Sequence, residues 1–210
     1  MLNPCCQFEL KICSFLTNIL RFPLFHSPSL IRRIQNREYL TDRSSFADTM
    51  AVCALASARA RDGALFPGRW DPEHFKNPTP ESFFAAAKEI IPQDLGAMRG
   101  LDWMRTCALL ALYGIQVGRI EVMHQYLGLY QSLVAMDNLH DEKNWPKSGI
   151  VEVELRRRLV SPTSKFQNPT SLMPAVLVNV YPRSTFLHSL GQHNSLSRIS
   201  MQCALPKRSR

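Results

Sequence analysis

The chain has 210 residues, of which 45% are hydrophobic and 20% charged, so we expect one globular domain and exclude a fibrous or wholly disordered protein. The formal net charge of +8 does not describe a basic face. Residues 1–154 carry 16 Lys and Arg against 17 Asp and Glu, whereas residues 155–210 carry nine basic residues and no acid. The basic surplus therefore belongs to the last quarter of the chain and not to a folded surface.

The N-terminal segment is predicted neither to cross a membrane nor to act as a secretory signal. Residues 12–31 are its most apolar part, but Arg21, Pro23 and Pro28 interrupt them before the roughly 18 apolar residues that a span requires. The six cysteines are scattered and include no C-x2-C pair. They therefore indicate neither a disulfide framework nor a zinc site, and they favour a reducing compartment.

The first helix is predicted over residues 44–62. It opens with Ser and Asp residues of the kind that cap helices, and it carries one narrow face of mostly small side chains spaced three or four apart. The face consists of Phe46, Met50, Cys53, Ser57 and Ala60. Such a face allows another helix to approach closely, so we expect a core helix.

A second helix is predicted from Thr79 to about Ile91. Thr79 is a capping residue, Pro80 fits the first turn, Glu81 complements the helix dipole, and Pro92 ends the helix. The segment between the two helices, GALFPGRWDPEHFKNPTP, is rich in Gly and Pro and is predicted to be a loop.

Two longer helices are predicted over residues 101–117 and 119–136. The first is polar only at a thin strip that we expect to be exposed: Asp102, Arg105, Thr106 and Gln116. The second carries two apolar stripes, which implies two packed sides. The stripes are Ile120, Met123, Leu127, Tyr130 and Val134, and Val122, Tyr126, Leu129, Leu133 and Met136. Because Gly118 allows a tight turn between them, we expect an antiparallel helix hairpin at the centre of the core. The expected core includes Leu101, Met104, Leu110, Met123, Leu127, Tyr130 and Val134.

A last helix is predicted over about residues 149–159, and the chain changes character after it. Glu152 and Arg156, and likewise Glu154 and Arg158, are four residues apart in the orientation that favours ion pairing on a helix. Residues 160–210 have no acid, nine serines and five prolines, and no sustained apolar period. The overall prediction is an all-α, irregular helical bundle with a central antiparallel hairpin and a poorly ordered C-terminal tail.

The sequence contains none of the motifs that cradle phosphates, bind dinucleotides or mark serine hydrolases and metalloproteases. The densest polar cluster is DNLHDEKNW, residues 137–145. Asp137, His140, Asp141 and Glu142 could bind a cation or act as acid and base, or they could form a solvated helix end and loop. The run Arg156–Arg158 could contact phosphates, or it could form a charged face paired with the preceding glutamates.

The order of five segments is more specific than any single residue. They are PLFHSPSLIRRI (23–34), CALASARARDGAL (53–65), the hairpin, DNLHDEKNW (137–145) and VEVELRRRL (151–159). In this order, over about residues 22–159, the chain resembles the regulatory (middle homology) domain of the fungal binuclear zinc-cluster transcription factors.

Three motifs carry the resemblance. The start of that domain is matched by Pro23, Phe25, His26 and Pro28. A Leu-His pair followed by an acid is matched by Leu139, His140 and Asp141. The most specific motif, Glu-x-Arg-Arg-Arg-Leu, is matched by Glu154, Arg156, Arg157, Arg158 and Leu159.

The resemblance implies an all-helical, nuclear, non-catalytic domain that regulates transcription and can receive a small-molecule signal. In the family, DNA and zinc are bound by an N-terminal cluster of six cysteines spaced C-x2-C-x6-C twice over. This chain lacks that cluster, so no residue here inherits zinc binding or base contact, and DNA would be reached only through the missing module. Transcriptional co-regulators or a second copy in a homodimer are the other implied partners.

The resemblance also divides the chain into three parts. Residues 1–21 match nothing in the family, residues 22–159 form a partial regulatory domain, and residues 160–210 form an irregular basic tail. The family continues after the Arg-Arg-Arg-Leu motif with Phe-Trp, whereas this chain has Val160-Ser161-Pro162. Because an in-frame intron donor of the form GTAAGT encodes Val-Ser, we hypothesise that the tail is translated intron or a mispredicted exon. The alternative functions are a small helical protein-binding adaptor and, more distantly, a helical enzyme that uses the acidic cluster at 137–142.

Overall fold

The computed structural model describes residues 24–63, 78–145 and 147–164 of the chain, although the side chains of residues 144 and 161–164 are not described. These residues contain six α-helices and no strand, which confirms the predicted all-α class. The helices are α1 (Ser27–Gln35), α2 (Arg43–Arg61), α3 (Pro80–Ile90), α4 (Leu101–Gln116), α5 (Ile120–Met136) and α6 (Ile150–Ser164). Three short 3-10 helices lie between them, at Glu38–Leu40, Leu95–Ala97 and Glu142–Asn144.

Helix α2 is the most enclosed element, and it packs against α3, α4 and the 3-10 helix Glu38–Leu40. The expectation of one narrow face is wrong, because residues 51–58 are all buried, on every side of the helix. Ala and Ser side chains are small enough to let neighbouring helices approach from different directions. Phe46 and Met50, which were assigned to the narrow face, are only half-buried.

Helix α3 begins as the sequence predicts. Thr79 Oγ1 accepts a hydrogen bond from the Ser82 amide at 3.3 Å, and Pro80 occupies the first turn, where an amide donor is not needed. The Phe84 ring stacks on Tyr113 of α4 at a centroid distance of 4.9 Å and meets Tyr126 of α5 edge-on at 6.1 Å. These three rings join α3, α4 and α5 in one apolar cluster.

Helices α4 and α5 pack closely against each other across a short connection. Arg119 donates its amide hydrogen to the Gly114 carbonyl at 2.7 Å. A Cβ atom at Gly114 would lie 2.6 Å from the Met123 amide nitrogen, so only glycine permits this approach. Since α4 also packs against α2, the core is built on α2, α4 and α5 rather than on the predicted hairpin alone.

The predicted exposed strip of α4 is wrong, because two of its four residues are buried and the other two, Asp102 and Gln116, are half-buried. Arg105 and Thr106 are buried, because Arg105 meets carboxylates of α2 and α4 and Thr106 Oγ1 donates to the Asp102 carbonyl at 2.9 Å. Five of the seven residues expected in the core are buried: Met104, Leu110, Met123, Tyr130 and Val134. Leu101 and Leu127 are half-buried.

The two ends of the described chain differ from the prediction. The sequence patterns did not predict α1, which carries Pro28 in its first turn. Helix α6 runs to Ser164 and not to residue 159, because Val160 is buried and extends the packed face formed by Arg156 and Leu159. Pro23, the proposed N-terminal part at 1–21 and the predicted disorder from 165 onward lie outside the described residues.

Candidate functional site

The Leu-His-acid motif forms a tight loop after α5. Asn138 adopts the left-handed conformation, with φ of 47°, and turns the chain so that Leu139 is buried. The Leu139 amide donates to the Val134 carbonyl at 3.1 Å, and the Leu139 carbonyl accepts from Trp145 Nε1 at 3.1 Å. Two of the motif's three side chains therefore stabilise the local structure. Leu139 is buried, and Asp141 Oδ1 caps the next 3-10 helix by accepting a hydrogen bond from the Lys143 amide at 3.1 Å. His140 is exposed.

This loop is joined to α6 by one bidentate ion pair, which we call the loop–helix clamp (Glu142 and Arg157). Arg157 Nε and Nη2 donate to the two carboxylate oxygens of Glu142, each at 3.0 Å. This bonding lowers the pKa of the Glu142 carboxyl and raises the pKa of Arg157. The clamp brings the segment that contains Leu139 and Asp141 into contact with the Arg-Arg-Arg-Leu motif, which sequence reasoning did not predict.

The remaining residues of the Arg-Arg-Arg-Leu motif also have distinct partners. Arg156 is buried and donates to Ser148 Oγ and to Glu152 Oε1, both at 2.5 Å. Arg158 lies on the surface and pairs with Glu154 at 2.9 Å, so both predicted four-apart pairs form. The carbonyl of buried Leu159 accepts a hydrogen bond from the Tyr130 hydroxyl of α5. All three arginines therefore contact glutamates, as a paired charged face requires.

The described part of the first motif lies at the start of α1. Phe25 is half-buried, and the Arg105 guanidinium carbon lies 5.2 Å from the centre of its ring, within the range of a cation–π contact. His26 precedes the first turn and is exposed, with Nδ1 2.8 Å from Ser29 Oγ. Pro28 is exposed in that turn. This motif therefore contacts α4 through Phe25.

A buried charge network beside Phe25 was not predicted. We use that name for Arg33, Asp48, Asp102 and Arg105, which come from α1, α2 and α4. Asp48 and Arg105 are buried, whereas Arg33 and Asp102 are half-buried. Arg33 binds Asp102 with two nitrogens, Nη1 at 3.2 Å and Nη2 at 2.6 Å, and its Nη1 lies 3.9 Å from Asp48 Oδ2. Arg105 Nε lies 3.5 Å from the same Asp48 oxygen, and Arg105 Nη2 donates to Asp102.

The network extends to the surface through two further acids. Arg33 Nε donates to Glu38 Oε2 at 3.2 Å, and Ser44 Oγ donates to Asp42 Oδ2 at 2.6 Å while lying 3.4 Å from Asp102 Oδ2. The residues come from distant parts of the sequence and follow no local period, so only the folded chain reveals them. Neither Asp48 nor Arg105 carried a sequence signal of burial, and Arg105 was assigned to an exposed strip.

Burial determines the electrostatics of this network. Asp48 is 2% exposed and Arg105 5% exposed. Desolvation raises the pKa of Asp48 against the opposing pull of Arg105 and Arg33, and desolvation likewise lowers the pKa of Arg105. Among the described residues, Asp48 Oδ1 accepts no hydrogen bond. Burying these charges costs desolvation free energy, and the ion pairs of the network must offset that cost.

Two acidic residues of the cluster at 137–142 form ion pairs with arginines. Asp137 accepts from Arg99 Nη1 at 2.9 Å, and Glu142 belongs to the loop–helix clamp. Over residues 24–63, 78–145 and 147–164, no group of three or more His, Cys, Asp or Glu side chains is arranged to hold a metal ion. The two cysteines in these ranges, Cys53 and Cys107, are buried and unbridged, and burial raises the pKa of the Cys107 thiol to about 12. That thiol is therefore a poor nucleophile.

No protein-family model, curated protein or solved structure matches this chain. Within the described residues, none of the helices is both long enough and apolar enough to span a bilayer.

Proposed function

We propose that this chain is the regulatory domain of a fungal zinc-cluster transcription factor, in partial form and without its own DNA-binding module. Its role would be non-catalytic and nuclear, with zinc and DNA bound only by the cluster of a full-length protein. The observation that carries the proposal is the loop–helix clamp, Glu142 to Arg157 at 3.0 Å, because it ties together two segments that separately resemble the family.

The surrounding contacts support this proposal. In the second and third motifs, Leu139, Arg156 and Leu159 are buried, while Asp141 caps a helix. In the first motif, Phe25 packs under the guanidinium of Arg105. A set of motif residues that shapes a fold, rather than converging on one reactive point, is expected of a regulatory domain and not of an enzyme.

A reporter assay tests the proposal. The full chain is fused to a heterologous DNA-binding module and expressed in a fungal cell that carries the matching reporter gene. We expect the fusion to change reporter transcription, and Arg157→Met to reduce that change by loosening the loop–helix clamp. Arg119→Met is the matched control, because Arg119 also forms an exposed ion pair, with Glu121, but lies outside the motifs.

The spliced transcript provides the second half of the test. We expect the message that encodes this chain to contain an upstream six-cysteine cluster spaced C-x2-C-x6-C twice over, and to read Phe-Trp after Leu159. A stable fusion that leaves the reporter unchanged, together with a message that lacks the cluster, would contradict the proposal.

A small helical protein-binding adaptor is the second candidate function. It is favoured by an exposed apolar pair at the start of α6, where Ile150 is 90% exposed and Val151 45% exposed. Adjacent large apolar side chains in water are a common feature of protein-binding surfaces. An adaptor would leave the reporter unchanged and would bind its protein partner less tightly after Ile150→Asp, whereas Leu40→Asp, at a separate exposed apolar residue, would not affect that binding.

A further inference from the structure

Residues 24–40, which comprise α1 and the following 3-10 helix, are attached to the rest of the structure through two buried apolar side chains, Leu24 and Ile34, and through charge. Within α1 only Ile34 is buried, and none of the residues of the 3-10 helix Glu38–Leu40 is buried. Close backbone approaches of α1 to the larger helices are few. Arg33, in contrast, contacts Asp48 of α2, Asp102 of α4 and Glu38.

The charges of the buried network balance only when Arg33 is in place. With Arg33 present, two guanidinium groups face the two carboxylates of Asp48 and Asp102. Without it, the two carboxylates face Arg105 alone. Because Asp48 lies almost wholly out of water while residues 24–40 are in place, solvent does not replace a counter-charge that is missing from the closed segment.

The helix that follows this segment has its own side-chain cap, although the Asp42 amide also donates to the Glu38 carbonyl at 2.9 Å. Asp42 Oδ2 accepts a hydrogen bond from the Ser45 amide at 2.6 Å, so α2 carries its own cap. The apolar contacts of α2 with α3 and α4 also lie outside residues 24–40. Loss of the contacts made by residues 24–40 would therefore leave the N-terminus of α2 capped and its main helix packing in place.

We propose that residues 24–40 form a latch that closes on α2 and α4 through Arg33 and opens as a unit while the helical core stays folded. The closed position is held by the bidentate contact of Arg33 with Asp102 and by its proximity to Asp48. Opening exposes the carboxylates of Asp48 and Asp102 together with the face that Ile34 covers. The latch is a conformational device of the fold, separate from the proposed function and independent of it.

Hydrogen exchange of the full chain, followed by mass spectrometry, tests the latch. In the wild-type protein, amides of residues 28–40 are expected to exchange faster than those of α2 and α4, since local opening requires less disruption than global unfolding. Arg33→Met is expected to raise latch exchange by about tenfold or more, because it removes a charge-assisted bidentate contact. Amides of α4 should accelerate by no more than this factor, so that the latch still opens at a lower free energy than α4. Arg33→Lys keeps the charge but not the bidentate geometry and should give an intermediate rate.

Arg32→Met is the matched control, because Arg32 is the neighbouring arginine of the same helix and is exposed. It removes the same charge and should leave latch exchange unchanged. The proposal is overturned if Arg33→Met leaves latch exchange at the wild-type rate, or if latch, α2 and α4 amides open with the same free energy in the variant.

A second measurement covers the case in which Arg33→Met does not fold. Exchange of the wild-type protein is followed at low, rising denaturant concentrations. A latch that opens by itself keeps a lower opening free energy than α2 and α4 at every concentration below the global transition. Coincident opening free energies for the latch and the two helices would show one cooperative unit and overturn the proposal.

Discussion

Single residues of the buried charge network set the energetic balance at the junction of α1, α2 and α4. Desolvation raises the pKa of Asp48, so on its own Asp48 stabilises the fold most when it is protonated, and that contribution is lost as the pH rises through the raised pKa. Its two arginine neighbours oppose this effect. Because the pKa of Asp48 is raised even with Arg105 and Arg33 in place, the two arginines reduce the cost of a buried carboxylate without removing it, and losing one partner should cost more than losing the pair.

A double-mutant cycle tests this balance. Asp48→Asn and Arg105→Met are each expected to lower the free energy of unfolding by about 3–5 kcal/mol, because each leaves a buried charge with too little compensation. The double variant should lose less than the sum of the two, since neither charge then remains. The measurement is urea denaturation followed by circular dichroism.

The exposed pair Glu154 and Arg158 provides the reference cycle. Its coupling energy is expected to be below about 0.5 kcal/mol, as for other exposed four-apart pairs on helices. If the Asp48 and Arg105 effects were simply additive, the two residues would not share the energetic role assigned to them.

A second prediction at this scale concerns the cap of α2. Asp42→Ala should destabilise the protein by about 1 kcal/mol at pH 7, because the Ser45 amide loses its acceptor. The Ser44 hydroxyl bond holds the pKa of Asp42 below its ordinary value of 3.8. The ionised cap therefore contributes stability above pH 3.8, and this contribution is lost as the pH falls through the lowered pKa.

Thermal unfolding across the acid range measures this effect. The difference in melting temperature between the wild-type protein and Asp42→Ala should become smaller as the pH falls below 3.8. Asp42→Asn is the control, because an asparagine still accepts the Ser45 hydrogen bond and should cost less at neutral pH. A difference that stays constant with pH would contradict the assignment of Asp42 as an ionised cap.

At the scale of elements, the contact between α4 and α5 depends on one glycine. The three atoms nearest to a Cβ at Gly114 would all be backbone atoms, including the Met123 amide nitrogen at 2.6 Å and the Arg119 carbonyl oxygen at 3.0 Å, so the two helices would have to separate. Gly114→Ala is therefore expected to lower the free energy of unfolding by about 1–3 kcal/mol.

Gly128 of α5 is the matched control, because a Cβ at that position meets no atom within 4 Å. Gly128→Ala should raise the free energy of unfolding by about 0.5–1 kcal/mol, since alanine loses less conformational freedom in a helix. Opposite signs from the same substitution would identify the helix contact as the cause. If both variants were stabilised, the close approach of α4 to α5 would be wrong.

Elements with strong local signals could be predicted from the sequence. Thr79, Pro80 and Pro92 marked both ends of α3, and the apolar stripes of α5 marked its length. The enclosure of α2 could not be predicted, because alanines on all sides of a helix give no contrast between a buried and an exposed face. The end of α6 was misplaced because the loss of acidic residues after Glu154 changes composition without ending the packed face at Val160.

The contacts of the candidate site also fall into those that the sequence predicts and those that it does not. The pairs of Glu152 with Arg156 and of Glu154 with Arg158 follow from helical spacing alone, and both form. The loop–helix clamp and the bidentate contact of Arg33 with Asp102 join residues from different elements. Such contacts depend on how the helices pack, and no local pattern in the sequence encodes that packing.

For the whole molecule, acidic residues accompany the basic ones up to Glu154, and none follows it. In the described residues, Arg156, Arg157 and Arg158 each contact a glutamate. After Leu159 the sequence has six basic residues and no acid. The excess positive charge that could attract a polyanion is therefore concentrated after Leu159, while α6 contributes little to it.

This distribution predicts that the full chain binds DNA only weakly and without sequence preference. Base readout requires a rigid element in a groove, and the sequence contains neither a zinc cluster nor a helix-turn-helix signature. With six basic residues after Leu159, the slope of log affinity against log salt should be no steeper than about −5.

Fluorescence anisotropy on unrelated duplexes at several salt concentrations measures the affinity, its sequence dependence and its salt slope. A combined Lys207→Ser, Arg208→Ser and Arg210→Ser variant should make the slope shallower by about 3. A sequence-specific footprint that persists at about 150 mM salt in that variant would show that a folded element reads bases, and it would contradict the assignment of DNA recognition to a separate zinc-cluster module.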